Sequence, residues 1–156
     1  MKPTPPDWPR MASSVFYRDA AAAIDRLCRA FGFEVRLRIE GAGGRIEHSE
    51  LVYGDGLVMV GEEGLATDAK PWRRSMRSPH SLGGATTQSI LFFVDDADAD
   101  ADAHCAHARA CGTQIVDEPT THDYGADHWC DCSYAELDPE GHLWWITQRL
   151  HTAPGE

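Results

Sequence analysis

The feature that most constrains this chain is an internal repeat. The stretches "SSVFYRDAAAAIDRLCRAFGFEV" in the first half and "SILFFVDDADADADAHCAHARACGTQIV" in the second share one plan. Each gives a short apolar strand, an aspartate at its end, an alanine-rich helix, a glycine and another strand. Asp19 and Asp96 suit helix N-caps, because a short carboxylate can accept the free N–H groups of the first turn. Gly32 and Gly112 suit the left-handed position that ends a helix. Each half then runs through further strands to a glycine turn and a final strand, "YGDGLVMVG" and "DPEGHLWWI". The order is therefore βαβββ twice, an α+β fold of two modules. One helix cannot cover both faces of a four-stranded sheet. Sheets paired edge to edge would leave a curved concave surface.

The repeat sets the expected organisation: an N-terminal arm over 1–10, modules over 11–61 and 86–150, a linker over 62–85 and a tail over 151–156. The arm, "MKPTPPDWPR", is proline-rich and lacks the apolar centre of a secretory signal, and no run of eighteen apolar residues occurs. A cytoplasmic protein with no membrane contact is the expectation. A net charge of −11 argues against nucleic acid, whose phosphates it would repel. Five cysteines are expected to be reduced thiols.

Strand alternation in "RIEHSELVYG" puts His48, Glu50 and Val52 on one face and Ser49, Leu51 and Tyr53 on the other. A His and a carboxylate sharing a face can orient a ligand or work as an acid–base pair. An ordinary polar strand face reads equally well. In "DPEGHLWWI", Pro139 and Gly141 define a turn, and Trp144 and Trp145 after it must point to opposite faces.

Taken together, "VFYRDAAAAIDRLCRAFGF", "SPHSLGG", "FFVDDADA" and above all "YGADHWCDCSYAELDPEGHLWWI" resemble the vicinal oxygen chelate superfamily, in its glyoxalase/bleomycin-resistance/dioxygenase branch. The resemblance spans about Met11 to Leu150. It implies two βαβββ modules forming a cup-shaped mixed sheet, and usually a homodimer whose cups bind a small molecule. Metal-dependent members place a His at the start of each module's first strand and a Glu near the end of its last. Those positions fall here on Ala12, on Ser89 with Gln88 beside it, on Met59 or Val60, and on Trp145. Indole offers only a donor N–H, whereas divalent metals require oxygen, imidazole or thiolate ligands. The expectation is a chain without the family's metal and without a resident cofactor. Its cup would be lined by Trp145, His48, Glu50, Met59 and Ser89, and stacking on Trp145 would favour a planar ligand. A register slipped by one residue would send Trp145 to the core and Trp144 to the cup.

Three further motifs carry weaker signals. "HWCDC" sets His128, Cys130, Cys132 and Tyr134 on one strand face, with Trp129 opposite as a second aromatic candidate. The single-residue gap does not wrap a zinc ion, and a disulfide there would stretch to about 6.8 Å between Cα atoms, so packing is the better reading. His104 and His107 sit in an acidic, alanine-rich stretch that reads as a solvated outer helix. "KPWRRSMR" joins Trp72 to Arg73, Arg74 and Arg77, either a lid for an anionic ligand or a basic loop paired to the acidic body. The leading functional expectation is a metal-free binder of a small aromatic molecule. The alternative is an isomerase, lyase or dioxygenase-like enzyme using His48 and Glu50 or a relocated metal site. A partner-binding domain with no small ligand is a third.

Overall fold

Among the described residues, eight strands and two α-helices follow one another in the order that the repeat dictates. They are β1 (Ser13–Tyr17), α1 (Ala20–Phe31), β2 (Glu34–Glu40), β3 (Ile46–Tyr53), β4 (Gly56–Glu62), β5 (Ser89–Val94), α2 (Ala101–Ala110), β6 (Gln114–Asp123), β7 (Trp129–Leu137) and β8 (Leu143–Thr152). The structure, a computed structural model, describes residues 2–95 and 100–153. It divides into two compact units, Met1–Ala85 and Thr86–Glu156. Each holds one four-stranded mixed sheet, ordered β1-β4-β3-β2 in the first and β5-β8-β7-β6 in the second. In each sheet the first and last strands of the module pair in parallel and the other pairs are antiparallel.

In the first unit α1 presents Ala20, Ala23, Ile24, Leu27, Ala30 and Phe31 to the sheet, the three-and-four spacing of one helical face. They meet Val15 and Tyr17 of β1, Leu51 of β3 and Val58 and Val60 of β4, all buried. Asp19 caps the helix by accepting the Ala22 N–H at 2.9 Å, and Gly32 ends it at φ 80°. The second unit repeats the arrangement with different contacts. Its helix begins at Ala101, capped by Asp100, which accepts the Ala103 N–H at 2.7 Å. The expected cap, Asp96, lies outside the described residues. Gln148 of β8 reaches the same helix end and accepts the Ala101 N–H at 3.1 Å. His104 corrects the reading of a solvated helix face. It is buried, and its Nδ1 lies 2.7 Å from the Tyr134 hydroxyl of β7, while His107 faces solvent.

The turn before β8 decides the register of the two tryptophans. The Asp138 carbonyl accepts the Gly141 N–H at 2.9 Å, and its carboxylate accepts the N–H groups of Glu140 and His142 at 3.0 and 2.9 Å. The second carboxylate oxygen takes the Trp144 indole N–H at 3.3 Å. Trp144 is thereby held fully buried on the helix side, and Trp145 turns to the opposite face, half-buried. The strand continues to Thr152, past the expected module end at residue 150.

The segment from 62 to 85 folds back onto the first unit and belongs to it. Among the described residues no helix is long and apolar enough to cross a membrane. The burial of Trp144 sets a stability test. Trp144→Ala should lower the unfolding free energy by about 3–5 kcal/mol in chemical denaturation. Trp145→Ala should cost less than half of that, because its ring surrenders less buried area.

Candidate functional site

The face of the first sheet that α1 leaves uncovered is built from every second residue of its strands. Ser14 and Phe16 of β1 pair with Met59 and Gly61 of β4, and Met59 pairs with Glu50 of β3. Val60 points the other way, 1% exposed in the helix-side core, so Met59 alone occupies the outer position of the two. A pocket of about 230 Å³ lies on this face. Its wall includes His48, Met59 and Trp72, together with Ser14, Phe16 and the Glu47–Arg73 pair. Three candidates from separate parts of the sequence thus meet in one place. Phe16, Ser14 and Glu47 had drawn no attention in the sequence. The β1–β4 pairing that brings Ser14 and Phe16 beside Met59 is the signal that finds them.

Glu50 stands next to the pocket rather than in its wall. Its Oε1 lies 3.0 Å from His48 Nε2 and its Oε2 lies 3.3 Å from the Arg36 Nε of β2. The Glu50 side chain is only 8% exposed, which separates it from an ordinary polar strand face. A carboxylate can be held there because both oxygens have partners. His48, 38% exposed, is the reachable member of the pair.

The loop carrying Trp72 is anchored by ion pairs. Arg73 reaches Glu47 at 3.1 Å and Asp68 at 3.7 Å, and Arg77 reaches Glu63 at 3.2 Å. The Arg74 Nε donates to the Asp68 carbonyl at 2.7 Å. The basic stretch is therefore bound to acidic neighbours in its own unit. Trp72 remains 56% exposed with Lys70 over its ring. Close backbone contact fixes the loop's base: the Gly64 N–H donates to the Met76 carbonyl at 2.7 Å, and a Cβ on Gly64 would fall 1.8 Å from the Arg73 carbonyl oxygen. Asp68 is held below the usual carboxylate range, first by the Leu65 N–H that it accepts and then by Arg45 and Arg73.

In the second unit the uncovered face carries Ser89, Leu91 and Phe93 of β5 beside Leu143, Trp145 and Thr147 of β8. Leu91 pairs with Trp145 as Ser14 pairs with Met59, so Trp145 and Met59 hold equivalent places in the two modules. Trp129 and Trp145, the two aromatic candidates of this module, share this face but do not meet. Trp145 pairs with Ala135, and Trp129 lies six residues earlier on β7, opposite Thr152. Six residues of strand span about 20 Å. Trp129 instead joins Tyr124 at 5.6 Å between ring centroids, with the Arg149 guanidinium 5.5 Å from its centre. Arg149 is paired to Asp131 and also lies 5.5 Å from the Phe93 ring centre. Cys132 and Tyr134 turn to the helix side and are buried, Cys130 is half-buried, and all five cysteines are free thiols.

Comparison with known proteins places this geometry. Residues 11–146 match the model of the Glyoxalase/Bleomycin resistance protein/Dioxygenase superfamily. The chain belongs to this superfamily. The crystal structure of TioX from Micromonospora sp. ML1 is 31% identical, with a TM-score of 0.64 over 90% of this chain and 98% of that one. An integron cassette protein, VCH_CASS1, from V. Cholerae is 17% identical, with a TM-score of 0.59 over 95% and 97% of the two chains. A superfamily member from Sphaerobacter thermophilus DSM 20745 is 15% identical, with a TM-score of 0.62 over 88% and 94%. The latter two show a shared fold alone. No curated protein matches the sequence.

At the four positions that the resemblance assigns to the family's metal ligands, this chain has the Ala12 methyl, the Met59 thioether, the Ser89 hydroxyl and the Trp145 indole. That donor set does not fit a divalent cation. Among the described residues no group of three or more His, Cys, Asp or Glu is placed to hold a metal ion.

Two measurements follow from these environments. Burial pushes the Cys28, Cys105 and Cys132 thiols up. Iodoacetamide at neutral pH should therefore label the half-buried Cys111 and Cys130 first, as read by peptide mass spectrometry. Asp68 has a lowered folded-state pKa, so its contribution is present above the ordinary aspartate value and fades as pH falls below about 4. Hydrogen exchange over 64–77, referenced to intrinsic rates, should rise in wild type only in that acid range. In Asp68→Asn it should be raised already at pH 7.

Proposed function

We propose that this chain is a small-molecule binding protein of the superfamily that acts without a metal at the family's ligand positions and takes a planar aromatic ligand. The observation that carries this reading is the pocket on the first module. Met59, one of the two residues that the resemblance sets at a metal-ligand position, shares that pocket with Phe16, Trp72 and His48. An aromatic ring gains about 0.3–1.5 kcal/mol from a thioether and about 0.5–1.5 kcal/mol from offset stacking on indole. The volume of about 230 Å³ is below that of most ligand sites and limits the occupant to a compact ring system. His48 and the Glu47–Arg73 pair supply the polar groups that would orient such a ligand. Trp145, with Leu91 beside it, gives the second module an aromatic surface of its own for the same class of ligand. The same reading takes the protein to be a cytoplasmic homodimer without a nucleic-acid partner.

The His48–Glu50 pair favours one other reading, an acid–base isomerase or lyase that needs no metal. A carboxylate 3.0 Å from the imidazole fixes its orientation and supports the charge that it would carry after taking a proton.

The test begins with elemental analysis of untagged protein, followed by titration of planar aromatic compounds against tryptophan fluorescence and melting temperature. The expected result is no stoichiometric metal and saturable binding by at least one compound. Trp72→Ala and Met59→Ala should each weaken that binding about tenfold, while the fold survives. A stoichiometric metal, or a panel in which no compound shifts either signal, would sink the reading. His48→Ala separates the two functions: an enzyme loses turnover and keeps affinity, whereas a binder has no turnover to lose.

A further inference from the structure

The N-terminal arm is tied to the His48–Glu50 pair through a single arginine. The segment "TPPDWPR" turns back on the first module, the Trp8 N–H donating to the Pro5 carbonyl at 3.2 Å. Asp7, at φ 60°, is the one non-glycine with positive φ among the described residues. Proline followed by a left-handed residue is the pattern of a type II turn, and aspartate tolerates that conformation better than most side chains. The turn grips Arg36 of β2 twice. The Asp7 carbonyl accepts from Arg36 Nη1, and the Trp8 ring lies with its centre 5.1 Å from the guanidinium carbon. On its other side Arg36 meets Glu50 Oε2 at 3.3 Å, and Glu50 Oε1 meets His48 Nε2 at 3.0 Å.

These contacts join two cavities of the first unit. The arm closes over a groove of about 850 Å³ whose wall includes Trp8, Arg10, Arg36, Val52 and Leu57. His48 belongs to the wall of the smaller pocket beyond Glu50. Arginine suits the connecting role because its planar fork can stack on an indole and donate to a carbonyl and a carboxylate at once, which an ammonium cannot do.

We infer that Arg36 is a positioning residue and the Trp8 turn its latch, so that docking of the arm sets the state of His48. An ionised carboxylate only accepts hydrogen bonds, so Glu50 requires the proton of a neutral His48 on Nε2, leaving the lone pair on Nδ1. With Arg36 released, Glu50 loses its cation and the imidazole loses its fixed partner. Coupling of this kind is reciprocal: a ligand that needs the ordered imidazole favours the docked arm. The consequence for binding rests on the smaller pocket being the ligand site. The consequence for His48 does not.

The test uses the full-length chain with Trp8→Ala, Asp7→Val, Arg36→Met and Asp7→Gly, the last preserving the left-handed turn. Imidazole nitrogen chemical shifts read the His48 tautomer at a pH where the ring is neutral, and fluorescence of anilinonaphthalene sulfonate reads binding. The expected result is one Nε2–H tautomer in wild type and Asp7→Gly, mixed tautomers in the other three, and dye affinity about tenfold weaker in those three. If His48 keeps the wild-type tautomer in both Arg36→Met and Trp8→Ala, the latch is overturned. A dye that fails to bind wild type counts against the pocket reading alone, and the nitrogen shifts still decide the latch.

Discussion

A four-stranded sheet with one helix has a covered face and an uncovered one, and nearly every chemical feature of this chain depends on which side chains fall on which. In each module the helix takes the large apolar residues of alternate strand positions, Val15, Leu51, Val58 and Val60 in the first and Tyr134, Trp144 and Ile146 in the second. The positions between them carry Ser14, Phe16, His48, Glu50 and Met59 in one sheet and Leu91, Phe93 and Trp145 in the other. A shift of one residue would exchange the two sets and remove the site. Register is therefore the quantity on which function rests. It is fixed by devices at the strand ends, of which the Asp138 carboxylate, holding two backbone N–H groups and the Trp144 indole, is the clearest.

The first module departs from a plain sheet-and-helix unit in two places, and both serve its uncovered face. The loop after β4 is drawn back by Arg73, Arg77 and Asp68 and brings Trp72 to the edge of the pocket. The arm before β1 is drawn back by Arg36. Arginine is the means in both cases, in a chain whose net charge is −11. Arg73 meets Glu47 and Arg36 meets Glu50, both carboxylates of β3, so segments that would otherwise be connectors become parts of the wall.

Much of the fold was legible because it is local and repeated. The aspartate cap and glycine stop of α1 and the βαβββ order could be read as spacing. So could the alternation that separates His48 and Glu50 from Ser49 and Leu51. Reading failed where the answer depended on partners distant in the chain. His104 looked like a solvated residue in an acidic helix until Tyr134, thirty positions later, proved to hold it in the core. Trp129 and Trp145 both stood as aromatic candidates with no fixed register between β7 and β8, and pairing put them on one face, far apart. Ser14, Phe16 and Glu47 lie in stretches that spacing marks as strands but that nothing local marks as parts of a site.

The sequence by itself determined the two-module order and the superfamily, since these follow from residue identity and spacing along the chain. Only the tertiary structure decided that His48, Met59 and Trp72 share a pocket and that Arg36 joins the arm to Glu50. It also decided that Trp144 rather than Trp145 fills the core. The physical reason is common to all three. Pairing between strands and ion pairs between loop and strand are set by contacts across tens of residues, and no local pattern in the chain encodes their geometry.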